Sequence, residues 1–136
     1  MDFTLTEEQQ MLRDTARDLF AKECPLDFVR TAWNDRDAAS KLWTAQLSGW
    51  LDLATADLVD VALFAEEHGR ATAPGEFFAS LLAAQVAAAA GRRPAGTATV
   101  AVSDAAGLWV PHAGADKHFV PSAGEVDEIF VVGGSP

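Results

Sequence analysis

The sequence predicts an α+β chain, in which an N-terminal all-α helical bundle precedes a few antiparallel β-strands of an incomplete β-barrel. Two observations support this fold class. Apolar residues recur at helical spacing as far as Gly91, a pattern typical of amphipathic helices. After Thr97, short runs rich in branched residues alternate with glycine and proline, a pattern typical of antiparallel strands. We therefore predict a helical domain over residues 1–93 and a partial β-domain over residues 97–136.

The first predicted helix has a defined start and a defined end. Thr6 is followed three residues later by Gln9, the spacing of a capping box. Two glutamates follow Thr6, in the turn where the helix dipole favours negative charge. Cys24 precedes Pro25, and the residue before a proline is disfavoured in the helical conformation. The helix should therefore begin after Thr6 and end near Cys24.

Four more helices and four strands are predicted from the apolar pattern and its breaks. The helix at residues 77–90 is apolar nearly all round, which is typical of a buried helix. The predicted helices cover residues 26–33 with Trp33 facing inward, 38–46 capped by Asp37, 58–70 capped by Asp57, and 77–90. The predicted strands cover residues 99–102, 108–110, 117–120 and 128–132.

The composition excludes several classes of function. The 136 residues carry a formal net charge of −10 and a pI near 4.5, whereas a nucleic-acid-binding protein needs a basic face. The longest apolar run, residues 77–90, is too short to span a bilayer, and the N-terminus does not resemble a signal peptide. The single cysteine, Cys24, cannot form an internal disulfide. We therefore predict a cytoplasmic protein without a nucleic-acid or membrane partner.

Three segments, in family order along the chain, resemble the acyl-CoA dehydrogenases. Residues 2–20, DFTLTEEQQMLRDTARDLF, resemble the opening of the helical N-terminal domain of that family. Residues 64–84, FAEEHGRATAPGEFFASLLAA, resemble the EELGRALAP…SLLAA segment of its compact actinobacterial subunits. Residues 114–132, GADKHFVPSAGEVDEIFVV, resemble LSGTKRFVPDAAVADLLLVVA, the second and third strands of the middle β-domain of the family. Together the segments extend over most of the chain.

The resemblance implies FAD-dependent α,β-dehydrogenation of an acyl-CoA thioester by a complete assembly. In that reaction a base removes the α-proton and the flavin takes the β-hydride. The family carries its catalytic glutamate in a C-terminal four-helix bundle, for which the chain up to Pro136 has no counterpart. We therefore expect no catalytic residue in this chain and no dehydrogenase activity from the chain alone.

The resemblance also predicts one cofactor-binding residue, Ser103. The first β-strand of the family runs into a Thr-Glu-Pro and then a Gly-Ser-Asp loop, which contacts flavin and substrate. The corresponding residues 102–107 read VSDAAG, so Ser103 takes the place of the threonine hydroxyl while the other loop residues are absent. Ser103 is therefore predicted to contact FAD within a complete assembly, and FAD binding by this chain alone is not expected.

The remaining polar residues are interpreted as structural. His68 is expected to be packed or half-buried, and no metal site is predicted, although His112 and His118 together with Asp116 form a combination that would suit one. Cys24 is interpreted as a structural thiol. The carboxylate pairs Glu66–Glu67 and Asp14–Asp18 are interpreted as solvated helix faces, and Arg92–Arg93 as a solvated linker.

Two functions stay open at this point. The chain is either the N-terminal portion or a partner subunit of a dehydrogenase-like flavoenzyme, or a degenerate interaction subunit without catalytic motifs. Both predict a homodimer or a flavin-bearing partner, because a short sheet leaves an unpaired edge and exposed apolar patches mark interfaces. The apolar residues predicted to pack in the core or in this interface are Trp33, Trp43, Trp50, Phe77, Phe78, Leu81 and Leu82.

Overall fold

The computed structural model describes residues 4–110 and 116–133. It divides into two compact units, Met1–Gly75 and Glu76–Pro136, and each is described by itself. The change from helix to strand lies near residue 97, as predicted, but the last helix groups with the strands in the second unit. The domain boundary between residues 93 and 97 stays a prediction. No helix of the described residues is both long and apolar enough to cross a membrane.

The first helix, α1 (Glu7–Glu23), begins as the sequence predicts. The Thr6 hydroxyl accepts a hydrogen bond from the Gln9 backbone N–H at 3.2 Å. The Gln9 side chain accepts one from the Thr6 backbone N–H at 3.1 Å, which completes the capping box. The helix ends at Cys24, next to Pro25. Local chemistry alone therefore fixes both ends of α1.

The second helix, α2 (Leu26–Ala32), contradicts the prediction for Trp33. Val29 and Ala32 are buried, whereas Trp33 is 79% exposed. At about 100° of rotation per residue, Trp33 lies about 100° around the helix from Ala32 and about 70° from the middle of the Val29–Ala32 stripe. It therefore projects from the edge of the buried stripe rather than from its middle.

The third helix, α3 (Arg36–Leu42), is shorter than predicted and continues as a different kind of helix. Its N-cap is Asp35, which accepts from the Asp37 backbone N–H at 3.0 Å, so the prediction of Asp37 as the cap is wrong by two residues. A π-helical turn, Trp43–Leu47, and a 3₁₀-helical segment, Ser48–Thr55, follow. The helical pitch therefore changes at Trp43 and again at Ser48.

The fourth helix, α4 (Leu58–Arg70), has the predicted bounds and packs on α1. Asp57 occupies the N-cap position, but its side chain makes no capping hydrogen bond. Phe20 contacts Phe64 edge-on at 5.3 Å between ring centroids, and both rings are buried. The core of the first unit therefore forms around this aromatic pair.

The second unit consists of α5 (Phe77–Ala89) and two strands, β1 (Ala98–Ala101) and β2 (Glu128–Val131). The strands pair in parallel, with Ala98 opposite Glu128 and Ala101 opposite Val131. The prediction of antiparallel strands is therefore wrong for this pair. The chain between the strands crosses over and returns in the same direction, as parallel pairing requires.

The other two predicted strands are reduced to single bridges in the described residues. Ser103 forms isolated antiparallel bridges with Trp109 and with His118. Between Ser103 and Trp109, the Asp104 carboxylate accepts hydrogen bonds from the backbone N–H groups of Ala106 and Leu108, both at 2.9 Å. Asp104 therefore shapes a tight turn, which brings Trp109 back beside Ser103.

Two polar side chains tie the segments of the second unit together. The buried Ser80 hydroxyl donates to the Ala98 carbonyl oxygen at 3.2 Å and accepts from the Ala98 N–H at 2.9 Å. Asp127 accepts from the Thr97 N–H at 3.0 Å and from the Thr97 hydroxyl at 2.9 Å. A Cβ on Gly96 would clash with the Asp127 carboxylate, so a larger residue there would displace Asp127 from its hydrogen bonds to Thr97. These bonds fix the start of β1 against both α5 and β2.

We predict that Ser80→Ala destabilises the second unit by about 1–3 kcal/mol, because it leaves buried polar groups of Ala98 unsatisfied. Native-state hydrogen exchange at the β1 amides measures this opening free energy. Ser40→Ala is the matched control, since Ser40 is an exposed helical serine on α3, and it should change the opening free energy by less than about 0.5 kcal/mol. Equal β1 protection in both variants would contradict the role given to Ser80.

Candidate functional site

The second unit contains an apolar cleft of about 560 Å³, which we call the α5–β1 cleft. Its volume lies in the range of small-molecule binding sites, about 300–1,000 Å³. One wall is α5, another is β1 with the residues that follow it, and the rest comes from later segments of the same unit. The described lining residues are Ala79, Leu82, Gln85, Val86, Ala89, Thr99, Val100, Val102, Ser103, Trp109, Phe119, Pro121 and Val132.

The sequence of α5 explains how one helix both builds a core and lines the cleft. One stripe of α5, which includes Phe77, Leu81 and Ala84, is buried. A second stripe, Ala79, Leu82 and Val86, lines the cleft. Residues three and four apart lie on one face of a helix, so each stripe follows helical spacing. The all-round apolar character that predicted a buried helix therefore serves a core and a cleft.

The polar groups of the cleft are few and uncharged. Among the described lining residues, Gln85, Thr99 and Ser103 carry polar side chains, and none is acidic or basic. A general base needs a titratable group within reach of the substrate proton, and the described lining offers none. This chemistry suits the binding of an uncharged, mostly apolar group rather than proton transfer.

The predicted cofactor residue, Ser103, lies on the wall of this cleft. It follows β1 and pairs with both Trp109 and His118, so three segments of chain meet at this residue. Its predicted contact with flavin stays a prediction. The described lining includes no cationic side chain to neutralise a pyrophosphate, so the cleft residues do not fit the whole of FAD.

Two aromatic residues of the cleft were not predicted as site residues from the sequence. Trp109 is 82% exposed and Phe119 is 74% exposed, although both line the cleft. Phe119 has a φ of 53°, a left-handed conformation that costs a bulky residue about 1–3 kcal/mol. The residues after Lys117 give no local signal of this conformation.

The interpretation of Glu66 and Glu67 as a solvated pair is wrong for Glu67. Glu67 is 2% exposed, whereas Glu66 is exposed. Arg17 of α1 donates to Glu67 at 2.6 Å, and Arg70 of α4 donates to it at 2.7 Å. These contacts lower the pKa of Glu67, through the hydrogen bond from Arg17 first and that from Arg70 next, against the opposing effect of burial. Glu67 is therefore the centre of a structural ion-pair network (the ion centre), which links α1 and α4 of the first unit.

Two other titratable residues of the first unit, His68 and Cys24, are half-buried and buried. The His68 ring packs edge-on against Phe20 at 5.5 Å, and burial lowers the pKa of His68. Burial, followed by the charge of Glu23, raises the pKa of the Cys24 thiol to about 11, which makes the thiolate scarce at neutral pH. Asp14 and Asp18 are exposed, as predicted, and Asp14 pairs with its neighbour Arg13. The prediction of a packed or half-buried His68 is confirmed, and Cys24 is buried.

The remaining residues singled out in the sequence are the possible metal ligands, the linker arginines and the predicted interface residues. His112 lies outside the described residues, and His118 is exposed beside Phe119. Within residues 4–110 and 116–133, no three metal-ligating side chains lie close enough to hold an ion. The Arg92 guanidinium sits 5.2 Å from the centre of the Phe130 ring rather than simply in solvent. Of the predicted interface residues, Phe77 and Leu81 are buried, Trp43 and Trp50 are half-buried, and Trp33, Phe78 and Leu82 are exposed.

None of the known protein families, curated proteins or solved structures compared with this chain matches it.

We predict that Glu67→Gln destabilises the first unit by about 1–3 kcal/mol at neutral pH, because the charged hydrogen bonds to Arg17 and Arg70 are lost. The lowered pKa sets the sign of the pH dependence. The stabilisation is fully present above the ordinary carboxyl value of 4.5, and it is lost as pH falls through the lower folded-state pKa. The difference between wild type and variant should therefore shrink below pH 4.5.

Chemical denaturation of both proteins between pH 3 and pH 8, monitored by the signal of the buried Phe64–His68 region in NMR, measures this difference. Glu66→Gln is the matched control, since the adjacent Glu66 side chain is exposed. A Glu67→Gln variant as stable as Glu66→Gln across this range would show that the ion centre contributes nothing.

Proposed function

We propose that the chain is a ligand-binding component of an acyl-CoA dehydrogenase-like flavoenzyme, and that the α5–β1 cleft holds the acyl part of an acyl-CoA thioester. One observation carries the proposal: an apolar cleft of about 560 Å³ is bordered by Ser103, the residue to which the resemblance assigns a contact with flavin and substrate. The aliphatic lining from Leu82, Val86 and Val100 matches the chemistry of an acyl chain.

In this proposal the chain binds and positions, and another part of the assembly supplies the chemistry. FAD would accept the hydride when bound in the complete assembly. The described cleft lining holds no acidic side chain to remove the α-proton and no cation to hold a pyrophosphate, so both tasks are assigned elsewhere. The contribution of this chain is then the apolar wall that excludes water from the acyl chain.

The second candidate function is a non-catalytic interaction subunit, acting as a homodimer or beside a flavin-bearing subunit. The observation that favours it is the exposure of three large apolar side chains in one short region of the second unit. Leu108 is 64% exposed, and Trp109 and Phe119 are more exposed still. Exposed apolar residues close together support an interface. The two functions are compatible, since a partner that covers these rings would also enclose the cleft.

We predict that octanoyl-CoA binds the wild-type chain and that Ala79→Phe weakens this binding at least about tenfold, because the added ring fills the cleft. Isothermal titration calorimetry measures the affinity. The titration is done in about 0.15 M salt, which screens the repulsion between CoA and the acidic chain. Free CoA should bind far more weakly, since it lacks the acyl chain.

Ala88→Phe is the matched control, because Ala88 is an exposed residue of the same helix that does not line the cleft. It should bind octanoyl-CoA as the wild type does. Failure of the wild type to distinguish octanoyl-CoA from CoA, or equal binding by both variants, would contradict the proposal.

A further inference from the structure

Helix α5 carries two polar side chains, Ser80 and Gln85, and the fold accounts for only one of them. Ser80 is buried and forms two hydrogen bonds with the Ala98 backbone. Gln85 is half-buried and lines the α5–β1 cleft beside Leu82 and Val86. The described part of the chain offers the Gln85 side chain no hydrogen-bond partner.

Gln85 is only half-buried, so its amide stays accessible to water in the open cleft. A ligand that displaced this water without replacing its hydrogen bonds would lose about 1–3 kcal/mol in proteins. Helix formation does not require glutamine here, because alanine has the highest helix propensity and fills most of the neighbouring positions. A ligand that offers the amide a hydrogen-bond partner would avoid this loss, so its binding would depend on Gln85.

The chemistry of the cleft restricts what such a ligand can be. The Gln85 amide supplies two N–H donors and one carbonyl acceptor. The Thr99 and Ser103 hydroxyls supply further donors on the same cleft. The described lining carries no charged side chain, so an ionised carboxylate or phosphate inside the cleft would be desolvated without a counter-ion. The lining therefore suits an aliphatic body with a neutral hydrogen-bond acceptor.

We propose that Gln85 is a specificity-determining residue of the α5–β1 cleft, where its side-chain amide donates a hydrogen bond to a neutral carbonyl oxygen of an aliphatic ligand. This inference rests on the proposed function and adds to it. It selects esters, thioesters, amides and ketones over free fatty acids and hydrocarbons. The apolar stripe of α5 contacts the aliphatic part of the ligand, and the Gln85 amide donates a hydrogen bond to its carbonyl oxygen.

The test uses two small probes of the same shape, 2-octanone and 2-methyl-1-octene, which differ in a C=O or C=CH₂ group. Dissociation constants come from ¹H–¹⁵N NMR titration of the full chain. We expect the wild type to bind the ketone about three- to tenfold more tightly than the alkene, as one net hydrogen bond predicts. The side-chain NH₂ resonances of Gln85 should shift with the ketone and not with the alkene.

The variants separate recognition from structure. Gln85→Leu should abolish the preference for the ketone while it keeps or strengthens binding of the alkene. Gln85→Met is a second variant in case the branched leucine disturbs the fold. Gln46→Leu is the matched control, since Gln46 is a half-buried glutamine of the first unit, and it should keep the preference of the wild type.

The outcomes distinguish this inference from the proposed function. A wild type that binds neither probe would contradict both. Equal binding of the two probes, or a ketone preference retained in Gln85→Leu and Gln85→Met, would contradict the inference alone. Loss of ketone binding as the protein concentration rises would show that a second copy of the chain fills the cleft, and it would overturn the inference.

Two further probes identify the source of the carbonyl. S-hexyl thioacetate and N-hexylacetamide present the same chain length with a thioester or an amide. Tighter binding of the thioester would indicate that Gln85 donates to the acyl carbonyl of an acyl thioester. Tighter binding of the amide would indicate that it donates to an amide in the CoA part of the ligand. Octanoate should bind more weakly than either, and tight octanoate binding would contradict selection of a neutral group.

Discussion

The hydroxyl of Ser80 donates to the carbonyl oxygen of Ala98 and accepts from the amide N–H of the same residue. This pair of hydrogen bonds joins α5 to the first residue of β1, and both partners are fully buried. It fixes the position of α5 along β1, so one stripe of the helix enters the core. The neighbouring stripe then borders the α5–β1 cleft. The two walls of the cleft are therefore aligned by a buried polar side chain, which no apolar residue could replace without leaving polar backbone groups unsatisfied.

Hydrogen bonds from polar side chains also join other segments within each unit. Asp127 joins the start of β1 to the start of β2 through Thr97, and Asp104 closes the turn that returns Trp109 to Ser103. In the first unit, Glu67 joins α1 to α4 through Arg17 and Arg70. Each of these side chains replaces water with specific hydrogen bonds at a place where two segments meet. The apolar residues supply most of the stabilisation, and the polar ones fix the alignment of the segments.

Features that depend on neighbouring residues were predictable from the sequence. The capping box of Thr6 and Gln9 and the bounds of α4 follow from short-range chemistry. Features that depend on distant partners were not. The parallel pairing of β1 with β2 requires a crossover that strand propensity does not encode, and the burial of Glu67 requires an arginine fifty residues away. Trp33 was misplaced for a related reason, because the packing partner of α2 decides which stripe is buried.

The candidate site, like the fold, was predictable from the sequence only in part. Ser103 was selected through a resemblance, and the structure locates it on a cleft. Gln85 was passed over because a single glutamine in an alanine-rich helix looks like an interruption of an apolar run. Only its position beside Leu82 and Val86 shows that it faces a cleft. Our central proposal is that the second unit holds the aliphatic part of an acyl thioester between α5 and β1.

A crystal structure of the chain grown with octanoyl-CoA tests this claim most directly. The account predicts electron density for the acyl chain against Leu82, Val86 and Thr99, with its carbonyl oxygen within about 3 Å of the Gln85 side-chain nitrogen. An acyl chain bound at another surface would contradict the account. So would α5 packed so closely on β1 that no cleft remains.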